Sequence, residues 1–118
     1  MKTLYAACLS RLGLSQAGAA ALHGVDLSTV KHWSSGRRRV PEGVWADLRD
    51  RANAVADQAD AMLDAWEAAG SPPIEIDVSE ADDLALIAAA DFVLAADAPV
   101  HVGQTDATLL ARQARRPN

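Results

Sequence analysis

The sequence predicts a mainly α protein, and three observations carry that prediction. Glycines separate three short apolar patterns of helical spacing within residues 1–36. A heptad rhythm then runs from Trp45 to Ala69. Beyond a Pro break come one alternating stretch and one Ala-rich stretch. The expected architecture is a tight helical domain over residues 1–41, followed by a region over 42–118. That region holds a long helix, 42–69, and a small α+β segment with one or two short strands.

Leu4, Tyr5, Cys8, Leu9 and Leu12 recur at helical spacing, so residues 3–12 read as a first helix that Gly13 ends. Ser15 caps a second helix reaching about Leu22, closed by Gly24. Asp26 caps a third from Leu27 to about Ser35, and Gly36 suits the left-handed residue beyond its end. Cys8 lies on the apolar face of the first helix and reads as core. His23 reads as a turn or surface residue. Pro41 opens the long helix, whose apolar or small positions are Trp45, Leu48, Ala52, Val55, Ala59, Met62, Trp66 and Ala69. Asp47, Asp50, Asp57, Asp60, Asp64 and Glu67 lie off that seam, and Gly70, Ser71, Pro72 and Pro73 stop the helix.

Ile74–Val78 alternates as a strand, 74–78, with one apolar face. Ser79 with Asp82 forms an approximate capping box for a helix over 80–96. That helix is Ala-rich and apolar on most sides, so it is expected to be buried. A second short strand, 100–102, can pair with the first, and His101 within it reads as structural. Residues 104–118 read as a helical turn around Leu109 and Leu110 and then a frayed tail.

Charge divides the chain unequally. Over all 118 residues, 11 Lys+Arg against 16 Asp+Glu give a net charge of −5. Residues 1–41 hold Lys2, Arg11, Lys31, Arg37, Arg38 and Arg39 against Asp26 alone, a net of +5. The remaining 42–118 hold 5 basic and 15 acidic residues, a net of −10. A basic half of this kind points to an anionic partner. Cys8 is the single cysteine, which excludes an intrachain disulfide and a cysteine-based zinc site and fits a reducing cytoplasmic setting. No apolar stretch approaches the roughly 20 residues of a membrane span. No basic region, apolar run and cleavage site mark a signal peptide. The three histidines are dispersed and the acidic residues follow a polar helix face. No catalytic residue, metal site or cofactor is therefore expected, and the chain does not read as an enzyme.

Residues 14–41 read LSQAGAAALHGVDLSTVKHWSSGRRRVP. Leu14, Ser15, Gln16, Ala20, Gly24, Val25, Thr29, Val30, Trp33, Gly36 and Pro41 occur in a register without insertion. In this pattern the segment resembles the helix-turn-helix of the Cro and lambda-repressor type, the XRE family. Physical reasons run parallel to the resemblance. Ala20 is small where two helices cross, Gly24 permits the turn, and Val25, Val30 and Trp33 plug a small core. Gly18 inside the second helix, Ala19 in place of a larger aliphatic and Ser34 where many members have Glu depart from the family pattern.

The resemblance implies a DNA-binding domain over 1–41 whose third helix enters the major groove. Leu27, Ser28, Lys31 and His32 would then reach base edges. Ser15, Gln16, Ser34, Ser35, Arg37, Arg38 and Arg39 would contact phosphates. A recognition helix of this type acts in pairs, so 42–118 is read as the dimerisation region. Trp45, Leu48, Val55, Met62, Trp66, Ile74 and Ile76 are its candidate interface, although Trp45, Met62 and Trp66 can equally pack within one chain against 74–103. The layout over the whole chain is similar to the small two-part regulators found beside anti-CRISPR genes, which are dimeric autorepressors acting on an inverted repeat. The expected function is a sequence-specific repressor binding double-stranded DNA as a homodimer at its own operon promoter. The alternatives are the antitoxin of a toxin–antitoxin pair and a protein-interaction module without DNA binding.

Overall fold

The computed structural model describes residues 3–103, and it is mainly helical, with five helices and two short strands among them. Helices α1 (Leu4–Arg11), α2 (Gln16–His23) and α3 (Leu27–Ser34) follow one another through short joints. Each joint has a local chemical cause. Thr3 caps α1 by accepting from the Ala6 N–H, and Ser15 caps α2 by accepting from the Gly18 N–H at 2.9 Å. Gly24 ends α2 at φ 66°, a left-handed conformation that a side chain would strain, while its N–H bonds back to the Ala21 carbonyl. Asp26 stands at the N-cap of α3 as expected, but its side chain makes no capping bond. Only its backbone carbonyl engages the helix, accepting from Thr29 and Val30.

Helix α4 (Glu42–Ala68) starts on Pro41, whose carbonyl accepts from Val44 and Trp45. It ends where Gly70 and Ser71 both turn left-handed, at φ 92° and 56°, with the Ser71 N–H reaching back to the Trp66 carbonyl. The chain divides into two compact units whose boundary falls between Asp57 and Gln58, inside α4. The reason lies in packing. Val44 and Leu48 of α4 belong to the same core as Tyr5, Leu9, Val30 and Trp33, so the first turns of the long helix complete the N-terminal unit. Cys8 is half-buried against that core.

In the second unit, β1 (Ile74–Asp77) pairs in parallel with β2 (Val100–Gly103), Ile74 opposite Val100 and Ile76 opposite Val102. Parallel pairing requires a crossover, and α5 (Asp83–Ala95) supplies it. The cap of α5 is not the expected Ser79 but Asp82, which accepts from the Ala85 N–H at 2.8 Å. Ser79 instead belongs to the turn leaving β1. Its N–H donates to Asp77 Oδ1 at 2.9 Å, and the backbone and hydroxyl bonds from Ser79 hold the Asp77 carboxyl below the usual carboxylate range. The helix therefore starts three residues later than predicted, at Asp83.

Burial in this unit is one-sided. Ile74, Ala88, Ala89 and Phe92 are buried, and Trp66 meets Phe92 edge-on at 6.1 Å while donating its indole N–H to the Pro72 carbonyl at 2.7 Å. Leu86, Leu94, Val100 and Val102 remain exposed, Leu94 at 84%. Among the described residues the burial expected for α5 is thus reached on one side only. The helical turn and frayed tail expected over 104–118 lie outside the described residues. No helix among those described is long and apolar enough to cross a membrane.

Candidate nucleic-acid interface

The eight residues of α3 sort cleanly into two faces. Val30 is fully buried and Trp33 is 5% exposed, both in the core of the first unit. Leu27, Ser28 and Lys31 point outward and are exposed, while His32 is half-buried at the edge of the outer face. The four candidate base-contacting residues therefore lie on or beside one surface, and three of them are fully available to a partner.

Beyond the helix, Gly36 turns left-handed at φ 80° and Arg37, Arg38 and Arg39 follow as three exposed residues. The Arg37 and Arg38 N–H groups both bond to the His32 carbonyl, so the start of this basic run is tied to α3 by its backbone. Among the described residues none of the three guanidinium groups has a carboxylate partner. Unpaired, exposed guanidinium groups beside an exposed polar helix face are suited to polyanion phosphates. Ser15 and Gln16 are exposed at the N-terminus of α2, although the Ser15 hydroxyl oxygen is already engaged by the Gly18 N–H. Ser35 is exposed and donates to the His32 carbonyl at 3.2 Å.

Ser34, also expected at the phosphates, is half-buried at the end of α3. Its hydroxyl oxygen is shielded from solvent without a hydrogen-bond partner, and its carbonyl accepts from the Thr3 hydroxyl at 2.8 Å. Its carbonyl joins the end of α3 to the start of α1. Several expected interface residues are likewise taken up inside the chain. Leu48, Val55 and Ile74 are buried, at 4%, 3% and 4% exposure. Trp45 packs on the first core, with its ring 6.0 Å from Tyr5. Met62, Trp66 and Ile76 are half-buried. Along the heptad seam, Leu48 and Trp45 close the first unit and Trp66 packs on α5, while Ala52 and Ala69 are exposed.

The residue that sequence reasoning misplaced is His23. Its side chain is 1% exposed, not at the surface. Nδ1 lies 2.9 Å from Asp47 Oδ2 on α4, and Nε2 lies 3.1 Å from the Tyr5 hydroxyl on α1. The ring meets Trp33 of α3 edge-on at 5.8 Å, and Trp33 in turn meets Tyr5 edge-on at 5.8 Å. Burial pushes the Tyr5 hydroxyl up to about 12, so it stays a protonated donor. No local signal at His23 announces this. The one available hint is that Asp47 stands just beside the apolar seam position Leu48.

Among the described residues no group of His, Cys, Asp or Glu is arranged to hold a metal ion. Comparison with known proteins gives no matching family and no matching curated relative.

Proposed function

We propose that the protein is a sequence-specific repressor that binds double-stranded DNA as a homodimer, with α2 and α3 acting as a helix-turn-helix of the Cro and lambda-repressor type. The observation that carries this reading is the division of α3. Val30 and Trp33 anchor it inward, Leu27, Ser28 and Lys31 project outward, and three exposed arginines follow its end. In the groove, Lys31 donates to guanine O6 or N7, Ser28 and His32 bond base edges, and Leu27 meets a thymine methyl. Gln16, Ser35, Arg37, Arg38 and Arg39 hold the phosphates and set the register without reading sequence.

Dimerisation is proposed through the second unit. A two-stranded sheet is marginal alone, and parallel strands are normally covered on both faces. Here Ile76, Val100, Val102, Leu86 and Val93 line one open apolar cleft, with Leu94 exposed on the same helix. A second copy covering that face would present two recognition helices to an inverted repeat with half-sites ~34–36 Å apart. Occupying such a repeat in the promoter of its own operon would repress transcription.

Footprinting on the gene's own upstream region tests the reading, together with selection of duplexes from a randomised library. The expected result is protection of an inverted repeat and enrichment of its half-site. No detectable binding to any duplex at low salt would leave a protein-interaction module as the better account. Recovery of the chain in a stoichiometric complex with a second small protein, in place of a homodimer, would favour an antitoxin.

A further inference from the structure

Four helices of the first unit converge on one imidazole. A carboxylate only accepts, so the proton facing Asp47 sits on His23 Nδ1, and Nε2 pairs with the Tyr5 hydroxyl. With the imidazole neutral, the un-ionised Tyr5 phenol completes this chain by donating to Nε2 while Nδ1–H donates to Asp47. Tautomer and ring plane are thereby both set. The edge of that ring lies against Trp33, the inward anchor of α3. Trp33 packs against this ring from the inward face of α3, opposite the exposed Ser28 and Lys31. The far end of α3 is held independently, by the Thr3 hydroxyl on the Ser34 carbonyl.

We propose that His23 is a positioning residue for DNA reading: the Tyr5–His23–Asp47 chain sets the azimuth of α3 through Trp33. The proposal rests on the DNA-binding reading above and adds to it a determinant of specificity that touches no base. Its effect is on discrimination between sequences, because a misdirected helix keeps its phosphate contacts but loses base geometry.

Asp47→Ala and Asp47→Asn remove the same charge, so comparing them separates the hydrogen bond from electrostatics. Each is compared with the unaltered protein for binding to two duplexes at one salt concentration. One is the duplex that the unaltered protein enriches from a randomised library, and the other is its scrambled counterpart. Helical circular dichroism and the ring-nitrogen chemical shifts of His23 are recorded alongside. Asp47→Asn keeps an acceptor, so it should stay within about twofold of normal discrimination and retain the Nδ1–H signature. Asp47→Ala should lose about tenfold in discrimination, with helical content kept and the ring proton redistributed between the two nitrogens. Normal discrimination by Asp47→Ala overturns the proposal, as does an equal loss in both variants. If Asp47→Ala fails to fold, Tyr5→Phe removes the other end of the chain, and normal discrimination by that variant overturns the proposal. An unaltered protein that enriches no duplex overturns the DNA-binding reading itself.

Discussion

Replacing Tyr5 with Phe deletes one oxygen from the centre of the first unit and leaves the ring packing in place. Tyr5 is 1% exposed, and its ring contacts with Trp33 and Trp45 do not involve the hydroxyl. What is lost is the donor to His23 Nε2, in a place where the His23 side chain is itself 1% exposed and water cannot substitute. A buried acceptor left without a partner costs about 1–3 kcal/mol, so the variant should be less stable by that amount at neutral pH. The same residue makes a second, opposite prediction in alkali. Its hydroxyl is pushed from 10.0 to about 12 by burial, so between those values the folded chain keeps a proton that the unfolded chain has released. Stability must then fall as pH rises through this window, by roughly 3 kcal/mol in all. The Phe variant lacks that component, so the gap between the two proteins should narrow steadily as pH rises from 10 towards 12. Urea unfolding at neutral pH and across the alkaline range measures both arms. Tyr5 is the single tyrosine, so tyrosinate absorbance reports its ionisation without interference. An unchanged urea midpoint at neutral pH with an unchanged slope would refute the hydrogen-bond assignment. Parallel alkaline curves for the two proteins would refute the burial argument.

Other substitutions address the remaining parts. Arg38→Ala should weaken binding to every duplex alike and lower the log–log salt slope by about 0.9, whereas Lys31→Ala should relax preference at one base pair; titrations on matched and mismatched duplexes distinguish them, and identical behaviour would undo the division of roles. Leu94→Asp places a charge on the exposed apolar face of α5, and light scattering should show dimer affinity reduced roughly 100-fold or more with helical content intact. Gly24→Ala meets no atom within 4 Å, so its cost is backbone strain alone, about 1–2 kcal/mol by chemical denaturation, with Gly24→Asn less damaging. Ser71 holds φ 56° without being glycine, and Ser71→Gly should raise stability by up to about 1 kcal/mol.

What was legible in the sequence was whatever is decided within a few residues. Ser15, Gly24, Gly36 and the Gly70–Pro73 break mark helix ends through caps and left-handed turns, and all of them occur where the punctuation predicts. The outward face of α3 was legible for the same reason, since Val30 and Trp33 fall at core spacing and Leu27, Ser28 and Lys31 do not. Decisions between competing local options were not legible. Ser79 and Asp82 can each cap a helix here; Asp82 caps α5, while the Ser79 N–H closes the turn after β1. Nor does a heptad state what covers it. Leu48 is apolar in the same way whether it faces a second copy or the inside of its own unit, and here it packs inside. Charge counts place Arg37–Arg39 in a basic half, but only the structure establishes that no carboxylate among the described residues pairs with them.

The burial of His23 follows from a deficit that the sequence does display. Helix α2 reads QAGAAALH, with Gly18, Ala19 and Ala20 where larger side chains would fill the space between helices. Small residues let α2 approach its neighbours closely, but they contribute little apolar area and make few contacts of their own. Leu22 and His23 are the only large apolar or aromatic side chains on the helix, and both are turned towards the core. An imidazole is a flat filler with a polar atom on each side, so it can stay in such a place only if both nitrogens are satisfied. Tyr5 from α1 and Asp47 from α4 meet that requirement, while the faces and edges of Tyr5 and Trp33 supply the contacts that the alanines lack. An apolar residue at position 23 would also fill the space, but it would leave the Tyr5 hydroxyl buried without an acceptor and Asp47 without its donor. The space left by the small residues of α2 is thus filled by a side chain that also answers the Tyr5 hydroxyl and the Asp47 carboxylate. That side chain ties the helices around it to one geometry, where an alanine-lined crossing alone would permit several.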